Sequence, residues 1–172
     1  MNYKSSSAIL KSELAILGFV FLIPLQSNAA TSSTTMTVTA TVLTACTLQT
    51  NPLVFGSYDT TAASDLTAST TVEVLCNGLS NAYTISMSTG LGANATFAAR
   101  KLTAAGQSIN YSIYTNANTS NVWGDGTSTT SIVSGSGTTG VVRSYPVYGK
   151  IFNNQPAAPG IYSDTVTVTL SY

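Results

Sequence analysis

The segment from Thr34 to Val42 alternates between threonine and apolar side chains. Successive side chains of a β-strand point to opposite faces, so the apolar ones share one face. Those residues are Met36, Val38, Ala40 and Val42. The pattern predicts an amphipathic strand near the start of the mature protein, tethered through one end. Such a strand can pair with its own domain or with a neighbouring molecule.

Apolar alternation and runs of β-branched and aromatic residues predict further strands and almost no helix. The predicted strands are 53–55, 72–76, 82–87, 109–114, 144–152 and 164–172. Stretches rich in Gly, Pro and Asn, among them residues 134–137, lie between them and predict turns. One helical turn is expected at 98–105, and residues 61–68 are expected to form a loop. This order predicts an all-β fold, an antiparallel sandwich of immunoglobulin-like type.

The last predicted strand is as amphipathic as the first. Val166, Val168, Leu170 and Tyr172 alternate with threonine and serine, and the given sequence ends at Tyr172. One face of this strand is therefore suited to a core. An open sandwich with an exposed apolar groove would aggregate unless its edge were covered. We therefore expect an incomplete sandwich that another strand completes.

The first thirty residues have the pattern of a secretory signal peptide. Two lysines precede the apolar run of residues 14–23, and small residues follow at 27–29. The run is far shorter than the ~20 residues that a membrane-spanning helix needs. We expect cleavage after Ala29 or Ala30, export, and no membrane span in the mature chain. The expected divisions are a signal peptide at 1–29, an N-terminal extension at 30–43 that runs into the first strand, and one sandwich domain at 44–172.

Composition excludes several classes of function. Beyond the predicted cleavage site the chain has four Lys and Arg residues against five Asp and Glu residues, a net charge of −1. Nucleic-acid binding needs several clustered cations, so no nucleic-acid partner is expected. The chain has no histidine, and its carboxylates are few and scattered. We therefore predict no catalytic residue, no metal site and no cofactor.

Cys46 and Cys76 are the two cysteines of the chain. In an exported protein, two cysteines in strand-like surroundings predict one disulfide bond. Closing a loop of about 30 residues would stabilise the fold by roughly 3 to 4 kcal/mol.

The sequence Trp-Gly-Asp-Gly at 123–126 contains a strong hairpin-turn signal. We expect a turn there, with Trp123 partly buried. The alternative is an exposed Trp123 that binds sugar together with nearby tyrosines. Residues 160–162 similarly predict a turn and a strand start, with Tyr162 packed at the edge of the sandwich.

An ordered set of short segments resembles a known family. After Cys46 these segments are 53–58, 74–76, 100–102, 109–114, 122–126, 147–151 and 160–168. Their order is similar to that of the spore coat protein U domain family, which includes subunits of archaic, Csu-type chaperone–usher pili. The resemblance covers the whole mature chain.

The resemblance implies an incomplete immunoglobulin-like fold that is completed by a donor strand. A periplasmic chaperone would lend a strand, an outer-membrane usher would receive the subunit, and the next subunit's N-terminal extension would replace the chaperone. Chaperone–pilin complementation is a known form of β-augmentation, in which main-chain hydrogen bonds hold the added strand and alternate side chains fill pockets. The donor residues would be Met36, Val38, Ala40 and Val42. The acceptor groove would be lined by Val166, Val168, Leu170 and Tyr172, with residues of the strand near the disulfide.

The predicted function is a structural subunit of a secreted surface pilus that supports adhesion and biofilm formation. The expected location is the periplasm in transit and then the cell surface or the extracellular space. The expected partners are the chaperone, the usher and neighbouring pilin subunits, and no enzymatic activity is expected. The alternatives are a secreted, protective coat protein and a carbohydrate-binding adhesive module.

Overall fold

A computed structural model describes residues 30–172, so the predicted signal peptide at 1–29 lies outside the described residues. Within residues 30–172 the regular elements are β-strands. The described part of the chain contains no helix that could span a membrane. The strands are β1 (Ala45–Thr50), β2 (Leu66–Asn77), β3 (Leu79–Met87), β4 (Arg100–Ala104), β5 (Gln107–Tyr114), β6 (Val133–Thr138), β7 (Val142–Ile151) and β8 (Val168–Ser171).

The eight strands form two antiparallel sheets within Ala40–Tyr172. The larger sheet has the order β1-β2-β7-β5-β4, and the smaller has the order β6-β3-β8. Strands β2 and β7 share the longest ladder, from Leu66 opposite Ile151 to Leu75 opposite Val142. The expected all-β, immunoglobulin-like sandwich is confirmed.

The core lies between the sheets because every long strand turns alternate apolar side chains inward. In β2, for example, Val72, Val74 and Cys76 are buried while their neighbours are more exposed. The remaining buried core residues are Tyr83, Ile85, Met87, Ile109, Tyr111, Ile113, Trp123, Val147 and Ile151.

Of two sequence predictions in the middle of the chain, one is wrong and the other holds only for residues 61–65. The helical turn expected at 98–105 is strand β4, whose ladder with β5 runs from Arg100 opposite Tyr111 to Ala104 opposite Gln107. Strand β2 begins at Leu66, inside the loop expected at 61–68, because β7 is long enough to pair with it as far as Ile151. At β4 the partner is the next strand, β5, across a two-residue turn at Ala105 and Gly106, whereas β2 pairs with the distant β7. In both places strand pairing overrides the local signal.

Strand β6 lies where a glycine-rich turn was expected at 134–137. Gly135 pairs with Tyr83 in β3, and the Tyr83 ring lies directly over it. A Cβ on Gly135 would lie 2.8 Å from that ring, so the glycine makes room for a large side chain rather than a turn.

Other strand predictions are only partly confirmed. Residues 30–44 have no secondary structure, and the first strand begins at Ala45. Residues 53–55 form no strand, and of the predicted strand at 164–172 only Val168–Ser171 forms a continuous ladder.

Arg100 is a fully buried cation at the start of β4. Its guanidinium donates to three backbone carbonyl oxygens, those of Ser88 at 2.9 Å, Phe97 at 3.0 Å and Trp123 at 2.6 Å. Burial lowers the pKa of Arg100 to about 10, so it remains charged at neutral pH. Its donors hold three loops against the sandwich.

A pair of tyrosines links the two sheets. The hydroxyl oxygens of Tyr83 in β3 and Tyr145 in β7 are 2.8 Å apart, and their rings meet edge to face with centroids 6.3 Å apart. Burial, and then the hydrogen bond to Tyr145, raises the pKa of Tyr83 to about 12. Ionisation of Tyr83 is therefore disfavoured in the folded protein.

Replacing Tyr83 with phenylalanine should lower the free energy of unfolding by about 1 kcal/mol at neutral pH. In the wild type the contribution of Tyr83 is complete below pH ~10, the pKa of an unfolded tyrosine, and is lost as the pH rises through the folded pKa of about 12. Urea unfolding between pH 7 and 12 should therefore show a shallower alkaline decline for Tyr83→Phe. Tyr172→Phe, at an exposed position, is the control and should follow the wild-type curve. Identical slopes for Tyr83→Phe and wild type would exclude this linkage.

Candidate functional site

An open apolar groove runs between β8 and the segment that follows β1. Residues 50–55 form one wall, and residues 164–168 form the other. The floor consists of core side chains from both sheets, namely Val72, Met87, Leu102, Tyr111, Ile113 and Val147. This narrow part has a cavity volume of about 290 Å³.

The groove widens towards the loop before β8. There residues 53–60 face residues 157–164, and the cavity volume is about 920 Å³. The narrow and wide parts share Leu53, Phe55, Leu102 and Asp164. The two parts therefore form one continuous groove along the side of the sandwich.

The wall after β1 rests on a glycine in β7. A Cβ on Gly149 would lie 2.6 Å from Leu53 Cδ2 and 2.7 Å from Phe55 Cζ. The Phe55 ring also meets Tyr111 edge to face, with centroids 6.0 Å apart. The missing side chain of Gly149 thus lets Leu53 and Phe55 lie against the sheet and leave the groove open.

Polar side chains fix the wide end. The Tyr58 hydroxyl donates to the Phe152 carbonyl oxygen at 3.0 Å and accepts from the Gln155 backbone N–H at 3.0 Å. The Gln155 side chain bonds both the N–H and the carbonyl of Asn110, at 2.7 and 2.9 Å. It thereby extends the pairing of β5 beyond the end of β7.

Asp164 holds in place the start of the wall formed by residues 164–168. Its Oδ1 accepts from the backbone N–H groups of Leu91 and Thr165, both at 2.8 Å, and its Oδ2 accepts from the Tyr111 hydroxyl at 2.8 Å. Burial, and then the bond to Asp164, raises the pKa of Tyr111, which therefore remains a donor. The carboxylate holds the chain in place where it enters the last strand.

The free edge of β8 borders the groove. Within the described residues β8 pairs on one side only, with β3, from Met87 opposite Val168 to Thr84 opposite Ser171. The predicted acceptor residues Val166, Val168 and Leu170 are half-buried and pack on the core. Val166 and Val168 line the groove, whereas Tyr172 follows β8 and is 62% exposed.

A disulfide anchors β1, the strand that leads into the wall formed by residues 50–55. Cys46 and Cys76 are bonded and lie opposite each other in the β1–β2 ladder, which confirms the predicted pair. The bond ties β1 to β2 one residue after β1 begins. Residues 50–55 continue directly from this anchored strand.

The predicted donor residues are all exposed, and none belongs to a strand. The exposed fractions are 84% for Met36, 80% for Val38 and 84% for Val42. Large apolar side chains at such exposure are candidates for a contact with another molecule.

Several groove residues were missed by sequence reasoning. The alternation of Leu53 and Phe55 had predicted a strand and could have identified the second wall. No local signal marks Leu102 or Asp164, because their roles depend on contacts with distant parts of the chain.

Trp123 belongs to the core and not to a binding surface. It is fully buried, more than the partial burial expected, and its Nε1 donates to the Ile85 carbonyl oxygen at 3.0 Å. The following turn is confirmed: Asp125 Oδ1 accepts from the Thr127 N–H at 2.9 Å. A buried indole cannot stack on a sugar, so Trp123 does not form a carbohydrate platform.

Replacing Gly149 with alanine should lower the free energy of unfolding by about 1 to 3 kcal/mol, because the new methyl group overlaps Leu53 and Phe55. Denaturant unfolding of the purified protein measures this. The control is Gly160→Ala, where the nearest atoms to the new Cβ are 3.9 and 4.0 Å away. Equal stability of the two variants would show that the wall does not depend on Gly149.

Replacing both cysteines with alanine should lower the free energy of unfolding by roughly 3 to 4 kcal/mol, because the loop between Cys46 and Cys76 is no longer closed. Urea unfolding of the variant can be compared with that of the wild type, with and without reductant. Reductant should affect only the wild type. A variant as stable as the oxidised wild type would contradict the role given to the bond.

A solved structure has a similar fold. One chain in the crystal structure of the CsuC–CsuE chaperone–tip adhesion subunit pre-assembly complex, from archaic chaperone–usher Csu pili of Acinetobacter baumannii, matches with a TM-score of 0.55 and 24% sequence identity. The match covers 77% of the present chain and 40% of that chain, so the present chain spans less than half of its length. No curated protein matches the sequence significantly.

The sequence itself identifies the family. Residues 32–169 match the Spore Coat Protein U domain, which is most of the chain and includes both walls of the groove. The order of segments noted in the sequence and the all-β sandwich agree with this match. The chain belongs to the Spore Coat Protein U domain family.

Proposed function

We propose that this chain is a structural subunit of a secreted surface pilus, assembled by donor-strand exchange through a chaperone–usher pathway. The single observation that carries the proposal is the open apolar groove beside the unpaired edge of β8. An added strand would bond to this edge and turn alternate side chains into the groove.

The smaller sheet has room for such a strand. It contains three strands, and β8 is at its edge. A fourth strand beside β8 would supply partners for the free backbone groups and cover Val166 and Val168. An uncovered edge of this kind invites pairing with another chain, which proteins normally prevent.

The N-terminal extension provides a matching strand. Met36, Val38, Ala40 and Val42 would share one face, and they would span ~20 Å at the rise of an extended chain. Burial of each larger side chain would contribute about 1.5 to 3 kcal/mol, and Ala40 would contribute less. With one long side chain in the set, the extension suits a shallow groove.

The remaining parts of the proposal follow from the relatives. The CsuC–CsuE structure is a complex of a chaperone with a tip adhesion subunit. By analogy, a periplasmic chaperone would occupy the groove first, an outer-membrane usher would receive the subunit, and another subunit's extension would replace the chaperone. The protein would be exported and would end in a surface fimbrium that supports adhesion and biofilm formation. This role requires neither a cofactor nor catalysis.

Replacing Val38 with aspartate should abolish multimers that resist SDS without heating, because a charge would be forced into an apolar groove. Thr39→Asp is the matched control, since residue 39 would face away from the groove and the multimers should persist. The measurement is a gel of surface material from the native host, unheated and boiled. An unaltered ladder from Val38→Asp would contradict donor-strand exchange.

Deleting residues 36–42 provides a second test. The shortened subunit should still be captured by its chaperone, because the groove is intact, but it should not extend a fibre. Normal polymers from this deletion would also contradict the proposal.

A further inference from the structure

Leu43 interrupts the polar face of the N-terminal extension. Thr37, Thr39 and Thr41 would lie on the face opposite the donor residues, and Leu43 is the next position on that face. Its side chain is 82% exposed. As an added strand, the extension would therefore end, just before β1, in an apolar side chain that faces away from the groove.

The wide end of the groove carries two exposed apolar side chains of its own. Val54, on one wall, is 74% exposed, and Ile161, on the other, is 93% exposed. Both residues line this opening. Their chain neighbours Phe55 and Tyr162 pack on the core, so Val54 and Ile161 form the outer rim.

The direction of an added strand determines which donor residue reaches this rim. Strand β3 is antiparallel to both β6 and β8, so a strand antiparallel to β8 would keep the sheet uniform. The chain passes from the wide end at 157–164 into the narrow part at 164–168 as it enters β8. An antiparallel strand would therefore start at the narrow end with Met36 and leave at the wide end with Val42.

We propose, on the basis of the pilus function proposed above, that Leu43 of one copy packs between Val54 and Ile161 of the next copy and covers the outer rim at the wide end of the groove. Neighbouring strands are ~4.8 Å apart, so a strand lying between the two walls brings its outward side chains beside those of both rims. Three side chains that are exposed in the single chain would cover one another.

This contact would also join the two domains closely. Only Thr44 separates Leu43 from the start of β1 at Ala45. The donor's own sandwich would therefore begin within ~7 Å of the acceptor's rim. Leu43 would form an apolar contact between successive subunits and limit the angle through which one subunit can bend relative to the next.

A cysteine pair can test the position of Leu43. In multimers isolated from the native host, the double variant Leu43→Cys with Ile161→Cys should give a ladder that survives boiling without reductant and collapses when reductant is added. The control pair, Leu43→Cys with Ser171→Cys, places the second cysteine at the far end of β8 and should not cross-link. Each protein should first be shown to keep the Cys46–Cys76 bond.

The outcomes separate this inference from the function on which it rests. Cross-linking of the control pair alone would show the opposite strand direction and overturn the Leu43 contact, while donor-strand exchange would stand. Multimers in which neither pair cross-links would overturn the contact in the same way. If the wild type forms no SDS-resistant multimers, the proposed function fails and this contact fails with it.

A substitution tests the contribution of the contact. Leu43→Thr continues the threonine pattern and should make the multimers dissociate roughly tenfold faster on heating, because a large side chain is no longer buried. Val142→Thr is the control, since Val142 is an exposed apolar residue at the start of β7, outside the groove. Equal rates for Leu43→Thr and the control would contradict the contact.

Discussion

The unpaired edge of β8 is the constraint on which the rest of this structure depends. A strand edge has backbone donors and acceptors that need partners, and here it borders a groove floored by core side chains. In this fold both walls of the groove are held in place, and the groove stays open. Gly149 makes room for Leu53 and Phe55 on one side, and Asp164 anchors the chain on the other.

The buried polar groups of the sandwich find partners within it. Arg100 would be costly to bury alone, but its guanidinium finds three backbone carbonyl oxygens, and one of them belongs to Trp123. Trp123 in turn donates to Ile85 in β3. Within the described residues no buried side-chain polar atom lacks a hydrogen-bond partner. In the described residues the sandwich thus combines a hydrogen-bonded interior with an open groove.

The fold class could be predicted because alternation in long strands is a local signal. Alternation identified most of the residues of β3, β5 and β7. The presence of two cysteines in a chain with an export signal identified the disulfide. Strand β4 was missed because the pattern of residues 98–105 predicts a helical turn, although β4 forms a tight hairpin with β5. Strand β6 was missed because Gly135 looks like a turn residue and its pairing with Tyr83 depends on distant chain. For the same reason the sequence indicated Val166 and Val168 as groove residues but not Leu102 or Asp164. The donor role of Met36 to Val42 remains a prediction.

The position of the disulfide has a mechanical consequence. Cys46 is the second residue of β1, directly after the N-terminal extension. A force applied to that extension would therefore be transmitted through the disulfide to β2, which pairs with both β1 and β7. Strand β1 could not be peeled from the sheet hydrogen bond by hydrogen bond. In the proposed fibre, tension that enters through the extension would therefore pass into the interior strands of the larger sheet.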